Sequence, residues 1–363
     1  MKKINKNDLV VYLFFFIISF CKGIGLNNSN IVYLIVYAFV IVIAAFKLFK
    51  IGFSQKEFFI LLSINIIGLL DFIIGKETTL LFTGITLLFL KQIDLKKIIK
   101  VLLVGRLMGF ILMIILPSLG IIDMNILKFY RNGEFVFRYA FGYAHPNLAH
   151  STFNIIVIMW VYLYYEKIKF DKIVFIEILN FILYKFTLSR TGFIILAVFL
   201  IITYIAKRFN CIERRIPYYL NIILWGSIIL GVFLAFGYGK ISWINSLDKI
   251  FTGRIRYLSL LVTSYKIPII KTQTYKGILF DNGYFDLFYN GGILATIWFL
   301  KFQMETNDFI KKNKMYKEAL ITIFLFIYSI TESYYVSPII NIGILFFSYV
   351  IYKKKYEKIE ESN

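Results

Sequence analysis

Between Ile173 and Ala206 the chain reads IVFIEILNFILYKFTLSRTGFIILAVFLIITYIA, and this stretch constrains the fold more than any other. One helix over it would be about 50 Å long at 1.5 Å per residue. That is far beyond the roughly 20 residues that cross about 30 Å of hydrocarbon. SRTG, near the middle, supplies the Ser, Thr and Gly that turns use. Two apolar helices joined by a tight turn fit the stretch. The turn places Arg190 at the tip of a helical hairpin, at a membrane surface rather than in lipid.

The rest of the chain reads the same way. Of its 363 residues 59% are hydrophobic, against about 45–50% apolar in a soluble domain. The fold class is therefore all-α, a polytopic integral membrane protein forming a single transmembrane domain over 1–363. Twelve candidate spans lie at roughly 8–23, 31–49, 58–75, 78–92, 99–118, 147–165, 172–187, 191–206, 218–237, 283–302, 317–333 and 337–352. The N-terminus imitates a signal peptide, but no small-residue cleavage site follows, so it reads as the first span.

Lys and Arg set the orientation. With both termini cytoplasmic, 26 of the 41 basic residues fall in inner segments and 13 in outer ones. The net charge of +20 is thus an inner-loop excess, and nucleic acid is not an expected partner. Cys21 and Cys211 fall on opposite sides of this topology, which argues against a disulfide framework.

Two long segments then face outward, an outer loop at 119–146 and a larger one at 238–282 between the ninth and tenth spans. The larger carries an amphipathic interfacial helix with Phe251, Ile255, Leu258 and Val262 as its apolar stripe. The residues with chemistry gather on this side: Arg138, His145, Asn147, His150, Arg190, Arg254, Arg256, Asp281, Asn282 and Glu332. Each has a plainer reading. Arg138 and Arg190 can anchor helix ends at headgroups, Asn147 reads as the N-cap of the sixth span, and Asp281 and Glu332 as solvated loop acids. Within the spans, Asp71, Lys185 and Arg106 lie nearer the ends than the midplane, and Arg106 is placed to snorkel. No Asp-x-Asp, His-Glu-x-x-His or Gly-Lys-Ser/Thr phosphate loop is present, so no metal and no cofactor is expected.

FGYAHPNLAH, TLSRTG, FTGRIRY, DNGYFDLFYNGGI and TESYY, in this order over about 130–340, together resemble Wzy-type polysaccharide polymerases. These are membrane glycosyltransferases that share a superfamily with the O-antigen ligases. The resemblance implies a GT-C-like helical protein of the bacterial cell membrane with its active site outside. It implies undecaprenyl-pyrophosphate-linked oligosaccharides as substrates, and a chain-length regulator and flippase of the same pathway as partners. A growing glycan would pass from its lipid carrier to the next lipid-linked repeat unit, without nucleotide sugar, metal or cofactor. By this resemblance Arg190 and Arg254 stabilise the leaving pyrophosphate and Asp281 is the base, with Glu332 and His145 in reserve. Arg138, His145, Asn147, Arg256, Asn282 and Glu332 bind the substrate. Where the ligases carry a histidine the chain has Asp281, a departure that favours a polymerase. The alternatives are a ligase-like transferase, a lipid-linked-sugar flippase or transporter, and a structural protein that binds envelope partners. No repeat relates the two halves and the 238–282 loop breaks any symmetry, which weighs against a transporter.

Overall fold

The computed structural model describes residues 6–26, 35, 38, 52–91, 93–131, 134–251, 253–271, 275, 278 and 280–353. The chain falls into two compact units, 1–49 with 92–210, and 50–91 with 211–363.

In the first unit, α1 (Lys6–Gly23) packs on α4 (Leu95–Ser118). Gly105 and Gly109, four apart on α4, let the backbones touch: a Cβ on either would lie 2.6 Å from the Phe16 carbonyl oxygen or 2.7 Å from that of Phe20. Small residues at this spacing are how helices approach without a hydrophobic driving force. Arg106, between them, is buried and does not snorkel as the sequence suggested. A two-stranded antiparallel ribbon, β1 (Ile126–Arg131) and β2 (Glu134–Tyr139), then precedes α5 (Pro146–Tyr164), α6 (Phe170–Thr187) and α7 (Arg190–Arg208). α5 is the most enclosed, with 78% of its apolar window buried. A polar seam holds it to α6 and α7. His150 Nε2 meets Asn180 Oδ1 at 2.9 Å, His150 Nδ1 meets Thr187 Oγ1 at 3.1 Å, and Asn154 Nδ2 donates to the Gly192 carbonyl at 3.0 Å. His150 is thus packing inside a helix rather than part of an outer loop.

In the second unit, α2 (Gln55–Gly75) and α3 (Thr79–Phe89) form a hairpin. The short α8 (Asn210–Arg215) leads into α9 (Leu220–Gly237), followed by α10 (Ser242–Ile250) and α11 (Arg254–Ser264). Ile244 and Ile255 of these two helices pack on Leu234, so this segment folds back onto protein. Its buried stripe is Ile255, Leu258 and Leu261 rather than one ending at Val262. The tenth expected span is broken. α12 (Gly283–Asp286) passes into a π-helical turn at Leu287–Gly291, and α13 (Gly292–Lys312) starts afresh. Gly292 has φ +75°, and a Cβ there would sit 2.5 Å from the Ile269 carbonyl oxygen, so only glycine fits the break. α14 (Tyr316–Tyr328) follows, and then a 3₁₀ segment, Ile342–Phe347, running into α15 (Ser348–Ile351). This last pair is shorter than the expected twelfth span. Apart from residues 35 and 38, the second expected span lies outside the described residues.

Five helices among the described residues are long and apolar enough to cross a membrane: Gln55–Gly75, Leu95–Ser118, Pro146–Lys167, Arg190–Arg208 and Asn210–Gly237. Large apolar side chains stand exposed along their flanks, such as Phe59, Ile66 and Ile73 on α2 or Ile194, Val198 and Ile201 on α7. Water would penalise such flanks, whereas lipid does not. The chain is a predominantly helical membrane protein.

Candidate active site

In the first unit the site residues gather at the tip of the α6–α7 hairpin. α6 ends at Leu188, which takes the left-handed conformation (φ 48°) while its N–H bonds the Tyr184 carbonyl at 2.8 Å. Ser189 follows as the N-cap residue of α7 without a side-chain cap, and Arg190 is the first helical residue, exposed. The tight turn expected from the sequence is there, one or two residues earlier than SRTG as a whole suggested.

Arg138 reaches this tip from β2. Its Nε donates to the Thr187 carbonyl at 2.8 Å and one terminal nitrogen donates to Asn147 Oδ1 at 2.6 Å. A cation on the last carbonyls of a helix is stabilising, and here it also ties α6 to α5. Arg138 is buried, so its first role is to staple the hairpin. Asn147 is not the N-cap. Pro146 occupies the first helical position, where its missing N–H costs nothing, and the residue before a proline is extended. His145 (φ −151°, ψ 143°) therefore caps α5, its Nδ1 accepting from Asn147 N–H at 3.1 Å. Arg138→Ala should lower stability by about 2–3 kcal/mol, since buried hydrogen bonds to a charged group are lost. A thermal melt in detergent measures this, and an unchanged midpoint would contradict the staple.

The second unit holds the denser cluster. Arg254 opens α11 after Gly253, whose φ of +85° turns the chain. Gly253 has no side chain to cap the helix, and Asp248 of α10 does so instead, accepting from Ile255 and Arg256 N–H at 2.9 and 3.1 Å. The Arg254 guanidinium is thereby aimed at Asp281, 27 positions later, and at Thr331 and Glu332, 77 and 78 positions later. Nε lies 3.3 Å from Asp281 Oδ2, one terminal nitrogen 3.3 Å from Glu332 Oε1, and the other donates to the Thr331 carbonyl. Asn282 fixes this geometry. Its Oδ1 caps α12 by accepting from Tyr284 and Phe285 N–H at 3.0 and 3.1 Å, and its Nδ2 donates to the Ile330 carbonyl at 2.9 Å. Gly283 N–H bonds the Ser329 carbonyl at 2.7 Å. The two chain segments bearing Asp281 and Glu332 are thus pinned together beneath Arg254. Arg256 stands exposed over the Tyr257 ring and takes no part in the cluster.

Glu332 is buried, whereas the Asp281 side chain is 36% exposed. Burial pushes Glu332 up to about 7, against the pull of Arg254. Burial alone would lower Arg254, but the charges of Glu332 and Asp281 outweigh it and raise it. A carboxyl whose folded value lies above its ordinary value takes up a proton on folding. Glu332 therefore supports stability most at low pH, and the support fades as pH rises from its ordinary value of 4.5 through about 7. The slope is at most about 1.4 kcal/mol per pH unit. Apparent melting points between pH 5 and 8 should fall more steeply for the wild type than for Glu332→Gln, and equal slopes would contradict this environment.

A cleft of about 30 Å³ lies beside the cluster, lined by Arg254, Asp281, Asn282, Thr331 and the apolar Leu234, Phe251 and Ile255. In this conformation it holds a water or two rather than a sugar ring. Among the described residues no three His, Cys, Asp or Glu side chains converge closely enough to hold a metal ion.

The sequence-predicted residues thus fall into two groups in different units, Arg138, His145, Asn147 and Arg190 in one, and Arg254, Asp281, Asn282 and Glu332 in the other. Sequence reasoning missed Asp248, whose only signal was an acid six residues before Arg254, and the carbonyls of Thr187 and Thr331, which carry no sequence signal. It also underrated Asp71, which is almost wholly buried with Oδ1 unpartnered. No known protein family, curated protein or solved structure matches the chain.

Proposed function

We propose that the protein polymerises undecaprenyl-pyrophosphate-linked oligosaccharide repeat units at the outer face of the bacterial cell membrane. On this reading the chain crosses the membrane about twelve times with both termini in the cytoplasm, and the segments 119–146 and 238–282 lie outside. The observation that carries the reading is Arg254, held by two carboxylates and a carbonyl at the mouth of a cleft. Hydrogen bonds to Glu332 and Thr331 use two of its five N–H groups, and the remainder can serve phosphoryl oxygens. The motif resemblance described above supplies the substrate class.

An acceptor sugar hydroxyl attacks the anomeric carbon of the lipid-linked donor. The new glycosidic C–O bond forms as the bond from the anomeric carbon to the phosphate oxygen breaks. The electron pair leaves with the undecaprenyl pyrophosphate, and the hydroxyl proton passes to Asp281. Asp281 is the more exposed acid of the pair, as a base that meets substrate must be. Glu332 stays behind it and positions Arg254. Arg254 stabilises the charge that develops on the leaving group, the kind of help worth several powers of ten in rate, and the motif resemblance gives Arg190 of the first unit a pyrophosphate-binding role as well. The same resemblance assigns substrate binding to Arg138, His145 and Asn147 in the first unit and to Arg256, Asn282 and Glu332 in the second.

The test is stoichiometric. Purified protein in nanodiscs, given lipid-linked repeat units and a chelator, should release one undecaprenyl pyrophosphate for each glycosidic bond formed. Transport of the lipid-linked units across vesicles with no release would overturn the reading in favour of a flippase.

A further inference from the structure

We infer that one face of the β1–β2 ribbon lies in the headgroup region of a lipid bilayer and anchors the first unit to it. The register puts Ile126 opposite Tyr139, Lys128 opposite Phe137 and Tyr130 opposite Phe135, all on one face of the ribbon. Ile126, Tyr130, Phe135 and Phe137 are 49%, 67%, 58% and 51% exposed. The other face turns toward the protein, where Arg138 is buried at the α6–α7 tip and Leu127 and Val136 are half-buried. An isolated two-stranded ribbon with aromatic rings facing water would be an association hazard.

Two features commit this face to a lipid surface. Among the described residues its one charge is Lys128, whose Nζ sits 3.8 Å from the centroid of the Phe135 ring and 5.8 Å from that of Phe137. Aromatic rings with a basic group and no carboxylate suit the boundary between acyl chains and anionic phosphates. A glycan platform would call for carboxylate or amide acceptors beside the rings, and among the described residues this face carries neither. The second feature is continuity. Val104, Met108, Ile111 and Ile115 form an exposed apolar flank on α4, a helix long enough to cross a membrane, and Leu119, Ile121 and Ile122 extend it to the foot of β1. The apolar surface of the span runs on into the ribbon.

The test places a probe on the face. Tyr130→Cys and Phe137→Cys, each in a Cys21→Ala, Cys211→Ser background, would carry an environment-sensitive nitrobenzoxadiazole label in phosphatidylcholine–phosphatidylglycerol vesicles. Spin-labelled lipid should quench both labels several-fold more than iodide does. Dominant quenching by iodide would put the ribbon in water, and protection from both quenchers would put a protein or a second copy on it. Either result overturns the inference. In parallel, the unmodified protein can be photolabelled in vesicles with a diazirine-bearing phospholipid and read by peptide mass spectrometry. Residues 126–139 should be labelled about as densely as the α4 flank, and their absence from the labelled set would overturn the inference whether or not the cysteine variants fold.

Discussion

Arg254→Ala should cost the protein the proposed transferase activity and a large part of its stability together. The guanidinium is the only cation in contact with both Asp281 and Glu332 among the described residues, and it also holds the Thr331 carbonyl. Removing it leaves a buried carboxyl and a half-exposed one facing each other, and breaking a buried pair from one side costs about 3–5 kcal/mol. The rate should fall by about 10²–10³, the usual loss for one donor aimed at developing charge. Arg254→Lys should do little better, because a single ammonium cannot span three acceptors set around a planar fork. The two effects can be separated. Adding Glu332→Gln to Arg254→Ala removes the repulsion and should recover much of the melting point while leaving transfer near background. Recovery of transfer in that double variant would show that Arg254 serves only to hold the fold.

Arg190 should behave in the opposite way. It opens α7, where the helix dipole is already positive, so a cation there is mildly unfavourable by about 0.3–1 kcal/mol. Its exposed guanidinium has no ion pair or side-chain hydrogen bond to any described residue that would offset this. An exposed guanidinium at a helix N-terminus, where anions are favoured, supports the proposal that it binds a phosphate. Arg190→Glu should therefore leave the melting point unchanged or slightly raised while transfer drops by about 10² or more. Arg190→Lys should retain charge but lose the bidentate fork, and most of the activity with it. Near-normal transfer by Arg190→Lys, or a fall in stability for Arg190→Glu, would contradict the assignment.

The hairpin that bears Arg190 was legible because length alone forces it: 34 largely apolar residues cannot be one span. The other features resisted for separate reasons. The β-ribbon carries aromatic residues on both faces, so its alternation is hidden. Pro146 moved the cap of α5 to His145, a position set by proline's fixed φ rather than by the usual preference for Asn. The break at Gly292 depends on the close approach of the Ile269 carbonyl, a tertiary contact without a local pattern. The meeting of Arg254 with Asp281 and Glu332 joins residues 27 and 78 positions apart, and no periodicity links them. Motif likeness named those residues as candidates, and the geometry shows what each one touches.

On the proposed function the chain joins lipid-linked repeat units by itself, with Arg254 at the leaving group. Purified protein in nanodiscs, supplied with lipid-linked repeat units of its own pathway, chelator and no nucleotide sugar, should yield a ladder of repeat multiples on a gel. Arg254→Lys and Arg190→Lys protein shown to be folded should yield the single unit. A folded wild-type protein that leaves the single unit unchanged under these conditions would contradict the account.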